Sequence, residues 1–153
     1  MKTAEQVKND ILSDLRVELT GEFDRNFERK GFFSDRWRPR AREYPKGSLL
    51  MVTGAMRRSI SSKVEGHGVR FTSSVPYTAL HNEGGTGTVT VRQHQRKSRK
   101  GHAYTVRQHQ RSMAMPQRQF IGDGPDTQRI IRTVIDDNLN KFNLSLSSFL
   151  RKK

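Results

Sequence analysis

Apolar residues recur every four positions at Val7, Ile11, Leu15, Leu19, Phe23 and Phe27, with Leu12 beside them. That spacing lays one stripe along a helix, predicted from about Thr3 to Lys30. Gly21 weakens its middle, and Gly31 is its natural stop. A second stripe (Ile130, Ile131, Val134, Ile135, Leu139, Phe142, Leu146 and Phe149) predicts a closing helix from Pro125 onward, with Asn143 or Ser145 as points of interruption. Between the helices the pattern shortens. Phe32 to Lys46, with Trp37, Pro39 and Pro45, reads as an extended loop. Leu49 to Val52 is a brief apolar run, and the Thr53 hydroxyl is placed to cap a short helix through about Ser61, with Met56 and Ile60 facing inward. Lys63 to Ser73 alternates around Gly66 and Gly68 as a hairpin, Pro76 ends it, and Tyr77 to Glu83 forms a helical turn closed by Gly84 and Gly85.

A direct repeat breaks this pattern. Thr90-Val91-Arg92-Gln93-His94-Gln95-Arg96 recurs fifteen residues later as Thr105-Val106-Arg107-Gln108-His109-Gln110-Arg111. Two copies at this period are too few and too short for a solenoid. Lys100 and Gly101 lie between them and suit a tight turn, so the pair predicts a β-hairpin. With Arg99 opposite His102, His94 would face Arg107 and Arg92 would face His109, and both basic sets would share one face. A shift of two residues along one strand would preserve that face. Eight such residues would extend roughly 27 Å, further than a small body would enclose, so the expectation is a projecting arm.

Charge sharpens the picture. Of 153 residues, 29 are Lys or Arg and 15 are Asp or Glu, a formal net charge of +14. No acid falls between Glu83 and Asp123, where Arg92, Arg96, Lys97, Arg99, Lys100, Arg107, Arg111 and Arg118 lie. Such a balance favours a polyanion, or acidic neighbours in an assembly, over a small neutral substrate. Apolar residues make up only 32%, against a usual share of roughly 45–50%, so the core is expected to be thin and completed by partners. Zero cysteines exclude a disulfide scaffold and thiolate metal sites. No apolar run suits a signal peptide or a membrane span, which points to a soluble chain made in the cytosol.

The chemistry-bearing residues do not assemble into a catalytic set. His67, His81, His94, His102 and His109 invite a metal, but three of them sit among cations and no HExxH spacing occurs. His81 and Glu83 are two apart on a helical turn and point apart. Gly84, Gly85 and Gly87 lack the lysine-serine or lysine-threonine pair of a phosphate loop, and Ser59, Ser61 and Ser62 have no neighbouring base. Trp37, flanked by Arg36, Arg38, Arg40 and Arg42, is read as an anchor for its loop. No cofactor, metal or enzymatic activity is expected. The candidate contacts are Arg92, His94, Arg96, Lys97, Arg99, Lys100, Arg107, His109 and Arg111, directed at DNA or at neighbouring subunits. Arginine in a strand can hold phosphates without reading sequence.

Several segments in series resemble the phage virion morphogenesis family, the tail-completion proteins of contractile-tailed phages such as Mu and P2. They are Trp37 after the first helix, then Leu50-Met51-Val52-Thr53-Gly54-Ala55-Met56-Arg57-Arg58-Ser59-Ile60, then Tyr77-Thr78-Ala79-Leu80-His81-Asn82-Glu83-Gly84, and Met115-Pro116-Gln117-Arg118-Gln119-Phe120-Ile121-Gly122 before the last helix. Met56 stands where leucine is usual, Thr78 displaces an alanine by one position, and the repeat-bearing stretch is an insertion. The resemblance implies a structural, non-enzymatic virion protein at the neck or head-proximal end of the tail. It would be a ring-forming homo-oligomer that meets other neck or tail proteins and DNA passing through the lumen, with no membrane partner. Together these readings predict an α+β fold: N- and C-terminal long helices packed on a small antiparallel sheet, in one domain over residues 1–153, with a basic hairpin arm inserted at about 86–114. The alternative expectation is a non-enzymatic protein that binds DNA through the arm without sequence specificity.

Overall fold

The computed structural model describes residues 2–41 and 47–151. Helix α1 spans Ala4–Arg29. Thr3 starts it: its hydroxyl accepts from the Gln6 N–H at 3.2 Å, and the Gln6 side chain accepts from the Thr3 N–H at 2.8 Å, so two otherwise orphaned donors are satisfied reciprocally. Gly21 does not interrupt α1, because it lies on the exposed side. The helix stops at Lys30, which takes the left-handed conformation (φ 55°), and not at Gly31. Gly31 serves a different purpose. The Asp35 carbonyl oxygen lies 2.6 Å from where its Cβ would stand, so only glycine permits the tight pairing of β1 (Gly31–Phe32) with β2 (Asp35–Arg36). The stretch predicted as an extended loop therefore opens with a hairpin. Residues 42–46 of that stretch lie outside the described residues.

Helix α4 spans Pro125–Leu150 without a break at Asn143 or Ser145. The hydroxyls of Ser147 and Ser148 donate back to the Asn143 and Ser145 carbonyls at 2.9 and 2.8 Å, so these polar residues are absorbed into the helix. Asp126 and Arg129 line a cleft with Glu22 and Arg29, and farther along Asn138 Nδ2 donates to Asp14 at 2.9 Å. The two long helices thus run antiparallel, and α1 buries Val7, Leu12, Leu15, Leu19 and Phe23 while α4 buries Val134.

The middle of the chain supplies α2 (Ala55–Ser59), β3 (Ile60–Glu65), β4 (Gly68–Ser73) and α3 (Thr78–Glu83). Thr53 caps α2 from one position farther out than usual: its hydroxyl accepts from the Ala55 N–H at 3.3 Å while Gly54, at φ 68°, is the cap residue. The helix ends at Ser59, and Ile60 already belongs to β3. Arg57 of α2 donates to both Asp24 and Glu28 of α1, and these carboxylates raise its pKa, Asp24 foremost. Where one small sheet was expected, the strands of the described residues form separate two-stranded antiparallel pairs.

The core gathers Phe27, Trp37, Met56 and Phe120, with Leu49, Leu50, Met51, Ile60 and Ile121 packed around them. The Phe27 ring centroid lies 4.8 Å from that of Phe120 and 5.8 Å from that of Trp37. Phe120 is fully buried, yet Arg118 to Ile121 belongs to no helix or strand. Its backbone is satisfied piece by piece. Asn82 Oδ1 accepts from the Phe120 and Ile121 N–H groups at 2.9 and 3.1 Å, Asn26 Nδ2 donates to the Phe120 carbonyl at 3.1 Å, and Trp37 Nε1 donates to the Gln119 carbonyl at 2.5 Å. The Arg118 N–H donates to the His81 carbonyl at 2.8 Å. Leaving a buried donor unpaired costs about 1–3 kcal/mol. Asn82→Ala orphans two, so urea denaturation is expected to show a loss of about 2–4 kcal/mol.

Candidate assembly site: a cationic ribbon and its root

The repeat forms two antiparallel ladders. The inner one pairs β5 (Gly85–Val91) with β8 (His109–Met115), and the outer one pairs β6 (His94–Lys97) with β7 (Ala103–Val106). No residue from 85 to 117 is buried. The Ser98 N–H donates to the His102 carbonyl at 2.8 Å, the Gly101 N–H donates to the Ser98 carbonyl at 2.9 Å, and Gly101 takes φ 87°. The ribbon therefore turns through the three residues Arg99, Lys100 and Gly101, the hairpin form that ends in a left-handed glycine.

This turn corrects the expected register. A two-residue turn would have set Arg99 opposite His102. The three-residue turn sets Ser98 there instead and moves every pairing by one. His94 faces Val106, Arg96 faces Tyr104, His109 faces Val91 and Arg111 faces Val89. Directly opposite residues share a face, so in each ladder one strand brings the cations and the other brings valine or tyrosine. The single shared cationic face does not form. Its like-charge pairs would each have cost some tenths of a kcal/mol, and the observed register avoids them.

Because the copies are fifteen residues apart, Val91–His109 and His94–Val106 are the same pair seen from either copy. The local geometry repeats as well. His94 Nδ1 donates to the Arg92 carbonyl and His109 Nδ1 to the Arg107 carbonyl, each at 2.9 Å. Arg92, His94, Arg96, Lys97, Arg99, Lys100, Arg107, His109 and Arg111 are all exposed, and among the described residues none of them makes an ion pair. The ribbon brings these residues onto one structural element but distributes them along it.

The other chemistry-bearing residues are engaged structurally. The hydroxyls of Ser59, Ser61 and Ser62 bond to those of Ser73, Thr72 and Thr20. Among the described residues no group of three or more His, Cys, Asp or Glu could hold a metal ion, and no helix is long and apolar enough to cross a membrane. Trp37 is buried, as an anchor requires. Asn26, Asn82 and Arg118, whose side chains organise the ribbon's root, are not among the contacts predicted from the sequence. The available signal was a polar Asn26 beside Phe27 on an apolar helix face, and a lone arginine between Pro116 and Phe120.

His81 sits at that root with its Nδ1 buried and, among the described residues, without a hydrogen-bond partner. Burial, and then the charge of Arg118, lower its pKa from 6.5. The unfolded chain therefore binds the imidazole proton more readily. Stability is complete above the unfolded value near 6.5 and falls as pH drops through the lower folded one. Melting temperatures recorded between about pH 7.5 and 5 should show this loss, and His81→Gln should flatten it. Replacing Arg92, Arg96, Arg107 and Arg111 together by alanine should leave the melting temperature nearly unchanged, since exposed substitutions shift stability by within about 0.5 kcal/mol each; a large loss would place the ribbon in the core.

A model for the phage virion morphogenesis family matches residues 9–140. No curated protein matches the chain, and no solved structure matches it.

Proposed function

The chain belongs to the phage virion morphogenesis family, and from that premise we propose that it is a tail-completion or head–tail joining subunit. In this reading it acts without enzymatic activity at the neck or head-proximal end of the tail. It is a single domain with the ribbon inserted, and it closes into a ring of identical copies. The observation that carries the reading is the family match over residues 9–140, which reaches from α1 into α4. Two physical features support it. Leu139 and Leu150 are 43% and 62% exposed, and with half-buried Leu146 they fall on one face of α4. That leaves an apolar stripe to be covered by a neighbour. The ribbon carries a dense positive charge with no internal counterions, which suits acidic neighbours or DNA passing through a lumen. A ring requires the stripe to meet a different surface of the next copy, a heterologous contact that closes.

A second reading, a free DNA-binding protein that embraces the duplex through the ribbon, is favoured by the same charge. Every phosphate it neutralised would add about −0.9 to the slope of log affinity against log salt.

Size-exclusion chromatography with light scattering, alone and with duplex DNA at two salt concentrations, separates the two. A salt-resistant oligomer with weak duplex affinity is the expected result; a monomer or dimer that binds duplex tightly at low salt favours the second reading. Leu139→Glu with Leu150→Glu should dissociate the oligomer while changing monomer stability by less than about 1 kcal/mol, because both positions are exposed.

A further inference from the structure

Arg118 is the one charged side chain in the buried set among the described residues, 6% exposed. Its Nε donates to the Arg38 carbonyl at 3.0 Å, Nη2 to the Pro39 carbonyl at 3.4 Å, and Nη1 to Met115 Sδ at 3.8 Å. These partners hold the guanidinium in place without neutralising it, and among the described residues two of its five N–H groups find no acceptor. No carboxylate among the described residues pairs with it. Burial, followed by the charges of Arg40 and Arg38, pushes its pKa down. An unneutralised buried charge is costly, and an anion supplied from outside would relieve that cost.

The geometry offers such an anion a place. At the root of the ribbon a cleft of about 830 Å³ brings Arg38, Arg40 and Arg118 together between walls that include Pro39, Ala114 and Pro116. We propose that this cleft is a receptor for an aspartate or glutamate side chain carried on a segment of an adjoining protein. A guanidinium fork matches a carboxylate with two parallel hydrogen bonds, and the proline and alanine walls match the aliphatic stem behind it. A duplex phosphate fits less well, because it lies on a broad, stiff backbone that cannot follow a side chain down to a group as buried as Arg118. The inference rests on the assembly reading only for the source of the acidic segment; the chemistry of the cleft is independent of it.

Trp37, the single tryptophan, adjoins Arg38 in sequence and donates its indole N–H to the carbonyl of Gln119, next to Arg118. Its fluorescence therefore reports on the cleft. The test titrates the full chain with a hexaglutamate peptide, with a short duplex of matched charge and with inorganic phosphate, at about 0.15 M salt. It is run on the wild type and on the variant with Arg92, Arg96, Arg107 and Arg111 replaced by alanine, which removes attraction of the polyacid to the ribbon.

The expected result is a saturable peptide response that survives in the ribbon variant and weakens about tenfold or more in Arg38→Glu and Ala114→Phe. Both substitutions are at exposed positions and should leave the melting temperature unchanged. Arg118→Lys, which keeps the charge but loses the fork, should weaken binding as well, and the two exposed variants decide the matter should it fail to fold. The inference is overturned by the absence of a saturable response, by equal affinity in the cleft variants, or by duplex or phosphate binding as tightly as the peptide. Light scattering on the same samples reads the oligomer separately, so loss of the ring with peptide binding intact refutes the assembly reading alone.

Discussion

The structure depends on a short stretch of chain that has no secondary structure of its own. Arg118 to Ile121 crosses the core because Phe120 fills the space beside Phe27 and Trp37, and buried backbone cannot stay there unpaired. Asn26, Asn82 and Trp37 supply the missing partners from α1, α3 and the loop after β2. One strandless segment thereby fastens together three parts of the chain that are distant in sequence. This is how a protein with only 32% apolar residues still closes a core: side-chain amides and an indole perform the satisfaction that a sheet would otherwise provide.

The same segment determines where the charge lies. It follows β8 directly, so fixing Arg118 and Phe120 fixes the base of the ribbon, while residues 85–117 remain unburied. Within the ribbon, turn geometry and electrostatics agree. The three-residue turn shifts the register by one, and that shift replaces cation-against-cation pairs with cation-against-valine or tyrosine pairs. The ribbon can then pair without waiting for an anion, and its charge remains available to a partner.

The long helices were legible because a stripe such as Val7, Leu15, Leu19, Phe23 and Phe27 makes burial periodic, and Gly84 and Gly101 marked turns whose backbone requires positive φ. The repeat announced a hairpin for the same local reason. Its register was not legible: a tight turn at Lys100 and Gly101 can be built from two residues or from three, and the sequence carries glycine in a place that suits both. The break expected at Asn143 or Ser145 failed because serine hydroxyls can close back onto their own helix. What Asn26 and Asn82 bond to was not legible, for a deeper reason. The bonds by which they hold the segment reach main-chain groups more than thirty residues away, and no periodicity within a window records such a contact. The family resemblance carried by Met115 to Gly122 marked the segment without revealing what holds it.

Residue-resolved hydrogen exchange on the isolated chain addresses the pinned segment most directly. The Phe120 and Ile121 amides should exchange with the slowest class, alongside the middle of α1, while the amides of β6 and β7 exchange much faster. Rapid exchange at Phe120 and Ile121, or protection of the ribbon equal to that of the helices, would contradict the account.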